Sequence, residues 1–310
     1  LSREAPAGGG GAERPSGLAA WYLAARPKTL PAAASGVLVA TALAWLDGRF
    51  AAGPAAAAFA IALLLQIGSN LANDVYDAER GADTAERLGP ARATQSGWLT
   101  RAQVKRGMAV VFGVAFALGL YLTWVRGWLV LAIGCAAIVS AIAYTGGPYP
   151  LGYHGLGEVF VFIFFGPVAV VGTYWVQSGE APFAAWVASV AIGLLVTAIL
   201  VVNNLRDIEQ DRAAGKRTIT VRIGTRATMY EWVLFVASAY LIVVGAVALG
   251  LYDPGALAVL VSIPLAVRTA RIVFNEVGTA LNRALAMTGQ LALAFGALFS
   301  AGVIVGGSLF

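Results

Sequence analysis
Nine apolar stretches, each close to the thickness of a bilayer, divide this chain and limit its possible folds more than any other feature. They run over residues 29–46, 54–75, 105–125, 128–146, 157–177, 183–205, 229–251, 254–274 and 284–307. A helix needs about 20 apolar residues to cross hydrocarbon. Inside hydrocarbon the backbone must satisfy its own hydrogen bonds, which leaves helices or a closed barrel. Unbroken apolar runs of this length predict helices rather than alternating strands. Charged residues make up 12% of the chain, where a soluble domain carries about 25%, and the mean hydropathy is +0.77. A soluble fold around one core is thereby excluded. The expected fold is all-α: an integral membrane bundle of nine transmembrane helices, a single domain over residues 18–310 with the lipid bilayer as its partner. Asp47-Gly48, Arg126-Gly127, Gly146-Gly147-Pro148-Tyr149-Pro150 and Asp253-Pro254-Gly255 supply turn chemistry between the spans. Leu1 to Gly17 carries a glycine run and no apolar core of a signal, so a flexible tail without a cleavable signal is expected there. The lone Cys135 excludes a disulfide framework.

Nine spans place every Lys and Arg except Arg49 and Arg126 on one side of the membrane. Short loops rich in Lys and Arg stay in the cytoplasm. The N-terminus and both long polar loops are therefore expected on the cytoplasmic side of the plasma membrane, in a multi-pass arrangement. No nucleic-acid partner is expected, and the sequence does not define an oligomeric state.

Two polar clusters end on that same side. Asn70, Asn73, Asp74 and Asp77 fall at i, i+3, i+4 and i+7 near the close of the second span, with Asp83 beyond. At the close of the sixth, Asn203, Asp207 and Asp211 are spaced by four, and Asn204 reaches Asp207 and Asp211 at i+3 and i+7. Such spacing gathers each set on one helix face. An Asp at a helix C-terminus opposes the helix dipole, so a positive charge is expected to compensate. Carboxylates at a membrane edge point to function. All the donors are hard oxygens, which disfavours zinc and copper. Mg²⁺ takes few protein carboxylates and bridges to phosphate oxygens. The following loops offer phosphate partners, of which Arg92, Lys216 and Arg217 stand out.

Asn73-Asp74-Val75-Tyr76-Asp77 and Asp207-Ile208-Glu209-Gln210-Asp211 resemble the two aspartate-rich motifs of the UbiA superfamily of intramembrane prenyltransferases, in the same order and four helices apart. The resemblance runs from about Arg26 to the last span. Arg26-Pro27-Lys28-Thr29-Leu30-Pro31, Arg87-Leu88-Gly89-Pro90, Thr94-Gln95-Ser96-Gly97 and Asn203-Asn204-Leu205-Arg206-Asp207 are similar to the branch that prenylates 1,4-dihydroxy-2-naphthoate in menaquinone synthesis. One departure stands out. The superfamily often places a third Asp where this chain has Gly81, and here Asp83 follows instead.

The resemblance implies an active cavity on the cytoplasmic side. Asp74, Asp77, Asp83, Asp207 and Asp211 would ligate Mg²⁺, the cofactor. Asn70, Asn73, Asn203, Asn204, Arg92, Lys216 and Arg217 would surround the diphosphate of a polyprenyl diphosphate. Tyr144, at the close of the fourth span, would face the allylic cation. The aromatic acceptor would attack that cation and lose its carboxylate, giving demethylmenaquinone. Two other readings stay open at this point: a related enzyme acting on 4-hydroxybenzoate or homogentisate, and an ion-coupled transporter.

Overall fold
The computed structural model describes residues 15–81 and 88–307. Asp83, Arg87 and most of the expected N-terminal tail lie outside the described residues. The described chain is helical. In order it forms α1 (Gly17–Ala25), α2 (Leu30–Leu46), α3 (Ala52–Glu79), α4 (Arg101–Arg126), α5 (Trp128–Ala143), α6 (Gly157–Ile163), α7 (Ala169–Ser178) and α8 (Phe183–Arg206). The short α9 (Ile208–Ala213) and α10 (Ile219–Ile223) follow, then α11 (Thr225–Ala248), α12 (Ile263–Asn275) and α13 (Leu281–Gly307).

Among the described residues, eight helices are long and apolar enough to cross a membrane, and the protein is a multi-pass membrane protein. Nine were expected. The difference is α5, whose 16 residues reach about 24 Å at 1.5 Å per residue, short of the ~30 Å of a hydrocarbon core. Gly127, with φ 91°, ends α4 and starts α5. The chain leaves α5 at Tyr144 and turns through Gly147, which has φ 73°.

Three other elements depart from the sequence expectation. The helix α1 precedes the first expected span, and its Ala20 and Ala24 are buried with Leu71, Val75 and Val104 of α3 and α4. The expected fifth span is interrupted at Phe164–Val168 by a π-helical turn containing Pro167. Proline has no N–H to return to the preceding turn, and a wider turn absorbs the break. The eighth begins as 3₁₀ helix over Pro254–Ser262 and continues as α12.

Two apolar clusters organise the bundle. One joins α2, α7, α8, α11, α12 and α13 around Leu195, Trp232, Leu291, Phe295 and Phe299. The other joins α1, α3 and α4 around Leu71, Val104 and Phe112, with Ile138 and Ile142 of α5 against it. A cavity of about 450 Å³ lies between them, lined by α2, α3, α4, α5, α6, α7 and α8.

Candidate functional site
The ends of α3 and α8 meet at one end of this cavity. Asn73 and Asp77 line it from α3, and Asn203, Asn204, Asp207 and Asp211 from α8 and α9. A chain of contacts joins the two sides. Lys216 pairs with Asp211 at 3.0 Å and lies 4.7 Å from the centroid of the Tyr153 ring. Tyr153 donates its hydroxyl to Asp77 Oδ1 at 2.9 Å, and Arg92 Nη2 reaches Asp77 Oδ2 at 2.6 Å. Asp77 and Arg92 are each about 6% exposed at the side chain, so their attraction is poorly screened.

Asp74, expected to ligate metal, does not line the cavity. Its two carboxylate oxygens accept the backbone N–H groups of Ala93 (2.8 Å) and Thr94 (3.0 Å). That pair of charge-assisted bonds folds the loop back over α3 and sets Arg92 against Asp77. Asp74 and Asp77 differ by three positions, and only Asp77 points into the space between the clusters. Arg217 is also absent from the cavity wall. It is exposed, and its backbone N–H donates to the Tyr153 carbonyl at 2.8 Å. Asn70 lines the cavity, but its amide donates to the Ala25 carbonyl and the Thr29 hydroxyl, both at 2.9 Å. It thereby fixes the junction of α1 and α2, where Arg26 takes φ 52°.

On the second side, Arg206 is 4% exposed and grips Asp207 through both of its oxygens, at 2.7 and 2.6 Å. It also donates to Asn203 (2.9 Å) and Asn282 (2.7 Å). Asn282 in turn donates to the Leu88 carbonyl at 2.8 Å. Arg206 thus ties α8, α13 and the loop after α3 together. On the first side, Thr145 donates to Asn73 at 3.0 Å. Arg80 donates to the carbonyls of Thr145 and Gly147, fixing the turn after α5.

Tyr144 lines the cavity where α5 ends. Its ring lies against Gly152 and its hydroxyl against Gly157, leaving no room for a Cβ at either glycine. Burial and then Asp77 push the Tyr153 hydroxyl well above the usual phenol range, so it stays a protonated donor to Asp77. Burial raises the Asp211 carboxyl, and Lys216 opposes that rise. Tyr153, Arg26 and Lys28 line the site without having been singled out in the sequence. Tyr153 sits in a one-turn 3₁₀ segment, Leu151–His154, too short to show a periodic pattern.

Away from the charged end the wall is apolar. Val37, Ile61, Phe116, Leu122, Val130, Ile133, Phe164, Val168 and Trp175 carry the cavity toward the far ends of α4, α5 and α7. The site therefore matches an amphiphile with an anionic head and a hydrocarbon tail. Among the described residues, no three His, Cys, Asp or Glu side chains converge closely enough to cage an ion. Asp77 stands on one wall and Asp207 and Asp211 on the other, with Arg92 and Lys216 among them.

A sequence profile of the UbiA prenyltransferase family matches residues 33–292. The chain is 38% identical to a 1,4-dihydroxy-2-naphthoate octaprenyltransferase of Escherichia coli, over 92% of this chain and 95% of the relative. It is 40% identical to one of Mycobacterium tuberculosis, over 81% and 85%. Its fold is similar to that of a UbiA homolog from Archaeoglobus fulgidus bound to GPP and Mg²⁺, with a TM-score of 0.59, 15% identity, and coverage of 91% of this chain and 99% of that one. The chain belongs to the UbiA prenyltransferase family.

Proposed function
We propose that the protein transfers a polyprenyl group from polyprenyl diphosphate to 1,4-dihydroxy-2-naphthoate, with loss of the carboxylate as CO₂, to give the quinol form of demethylmenaquinone. The observation that carries this reading is the cavity itself, charged where α3 and α8 end and apolar beyond. The naphthoate acceptor rests on the names of the relatives at 38% and 40% identity. Arg92 and Lys216 hold the diphosphate, with the amides of Asn73 and Asn203 beside it. The apolar wall takes the tail and keeps water from the allylic cation. Tyr144 offers that cation an aromatic face.

The donor set fits Mg²⁺. Asp77, Asp207 and Asp211 are hard oxygen donors on facing walls, too spread to cage an ion alone. That suits a cation which keeps waters and binds through phosphate oxygens. These three residues would hold it, and the ion when bound offsets the charge on the departing diphosphate. Asp74 acts one step back, by fixing the loop that carries Arg92.

The same reading makes residues 18–310 one transmembrane domain and α5 a ninth crossing. Asp77 and Asp211 meet at one end of the bundle although α4, α5, α6–α7 and α8 lie between them. An even number of passes is needed, so α5 has to be one. The charged end then faces the cytoplasm of the plasma-membrane protein by its Lys and Arg excess. The test is product mass after offering dihydroxynaphthoate, 4-hydroxybenzoate and homogentisate, each with a polyprenyl diphosphate. Decarboxylated prenyl-naphthoate is expected, and turnover of 4-hydroxybenzoate alone would remove the acceptor assignment.

A further inference from the structure
Tyr153 touches both walls of the charged end, and the transfer described above gives it no part. Its ring lies under the Lys216 ammonium, with the nitrogen 4.7 Å from the centroid. Its hydroxyl donates to Asp77 Oδ1 at 2.9 Å. Arg80 stands 5.5 Å from the same ring, but it is committed to the carbonyls of Thr145 and Gly147. The backbone that carries Tyr153 is tied down as well. Its N–H donates to the Pro150 carbonyl at 3.1 Å, and its carbonyl accepts the Arg217 N–H at 2.8 Å. Arg222 donates to the His154 carbonyl at 2.9 Å, and the Gly152 N–H donates to the Tyr144 carbonyl at 2.9 Å. One 3₁₀ turn is thus bound to the end of α5, to the loop after α9 and, through the Tyr153 side chain, to α3.

Neither side-chain contact brings a charge into the site. A phenol hydroxyl donates to a carboxylate without adding a cation, and a ring face attracts an ammonium without adding an anion. An arginine or a glutamate in this place would compete with the ligand for the groups it held. We propose that Tyr153 positions Lys216 and Asp77 for the diphosphate, its ring holding the ammonium of one wall and its hydroxyl the carboxylate of the other. The inference rests on the prenyl-transfer reading and adds to it the part that sets the spacing of the diphosphate seat. Lys216 is a long side chain, 20% exposed, and ordering it costs rotamer freedom. The ring meets that cost before the ligand arrives, which favours binding. Tyr153 acts through Lys216 and Asp77 and is a positioning residue.

Tyr153→Phe keeps the ring and drops the hydroxyl, whereas Tyr153→Leu drops both. Two readings separate them in the full-length protein: the Kd of inorganic diphosphate with Mg²⁺ by calorimetry in detergent, and kcat in proteoliposomes. Tyr153→Phe is expected to bind diphosphate within about twofold of wild type and to lose about tenfold in kcat, because Asp77 is free to turn from the seat. Tyr153→Leu is expected to weaken diphosphate binding about tenfold as well. That weakening should vanish in a Lys216→Ala background, where the ring has nothing to hold. A loosened loop would instead weaken binding alike in both backgrounds. Equal diphosphate binding by the Phe and Leu variants, additive effects in the double variant, or full kcat in Tyr153→Phe would each overturn the proposal. Should Tyr153→Leu fail to fold, Tyr153→Met takes its place in the cycle. Wild-type protein that prenylates while these readings fail overturns this inference alone. Wild-type protein that does not prenylate at all overturns the functional reading as well.

Discussion
Asp74 and Asp77 carry the same side chain three positions apart, and their surroundings give them different work. Asp74 accepts two backbone N–H groups and anchors a loop. Asp77 meets Arg92 and Tyr153 at the cavity. Hydrogen bonds to a charged group contribute about 1.5–3 kcal/mol each. Asp74→Ala should therefore lower the thermal midpoint together with turnover, because the loop and Arg92 come loose. Asp77→Asn keeps its volume at the site but removes the charge that faces buried Arg92, so its midpoint should fall as well, while turnover of the folded variant falls about 10²–10³-fold. Thermal unfolding and steady-state rates of the two variants, measured side by side, check this division. Equal loss of activity with no stability change in Asp74→Ala would place Asp74 at the diphosphate instead. The sequence could gather both residues on one face, since i, i+3, i+4 and i+7 span a broad arc. It could not say which edge of that arc meets a loop and which meets the cavity, because the loop's path is set by contacts distant in sequence. Tyr153 escaped notice for the same reason, being placed by Asp77 from 76 positions away.

The helices were legible wherever a long apolar run met turn chemistry. The bounds of α8 (Phe183–Arg206) fall within a residue of the stretch 183–205, as a run between Pro182 and Asp207 dictates. Irregular elements were less legible. Hydropathy reads the same through the π-helical turn at Phe164–Val168 and the 3₁₀ helix at Pro254–Ser262, because both are as apolar as their neighbours. Close backbone contact explains why the second is tolerated. A Cβ on Gly302 of α13 would stand 2.0 Å from the Gly255 carbonyl oxygen. Small residues let helices approach in this way inside a membrane. Gly302→Ala should force α13 off the 3₁₀ segment and destabilise the protein by about 1–3 kcal/mol. Thermal unfolding in detergent measures the effect, and an unchanged midpoint would show that the contact is not tight.

Among the described residues the two larger apolar clusters stand on either side of a cavity, and the protein's polarity across the membrane follows from the number of passes. Charge bias pointed to nine passes, while the 16 residues of α5 are short for one. On the proposed reading, the link from Asp77 to Asp211 through Tyr153 and Lys216 calls for α5 to cross with the rest of the bundle. Its ends give a direct test. With Cys135 replaced by Ala, single cysteines at Trp128 and Tyr149 probe the two exposed ends of α5. A membrane-impermeant maleimide applied to intact cells should label Trp128→Cys and leave Tyr149→Cys untouched. Labelling of both would mean that α5 does not cross.

The central claim is that one cavity couples diphosphate departure to prenylation and decarboxylation of a naphthoate. Dihydroxynaphthoate labelled in its carboxyl carbon reports all of these events at once. With polyprenyl diphosphate and Mg²⁺, the purified protein should release one labelled CO₂ for each prenylated ring, and a Mg²⁺ chelator should stop both. Prenylated product that keeps its label, or no prenylated product at all from folded protein, would contradict the account.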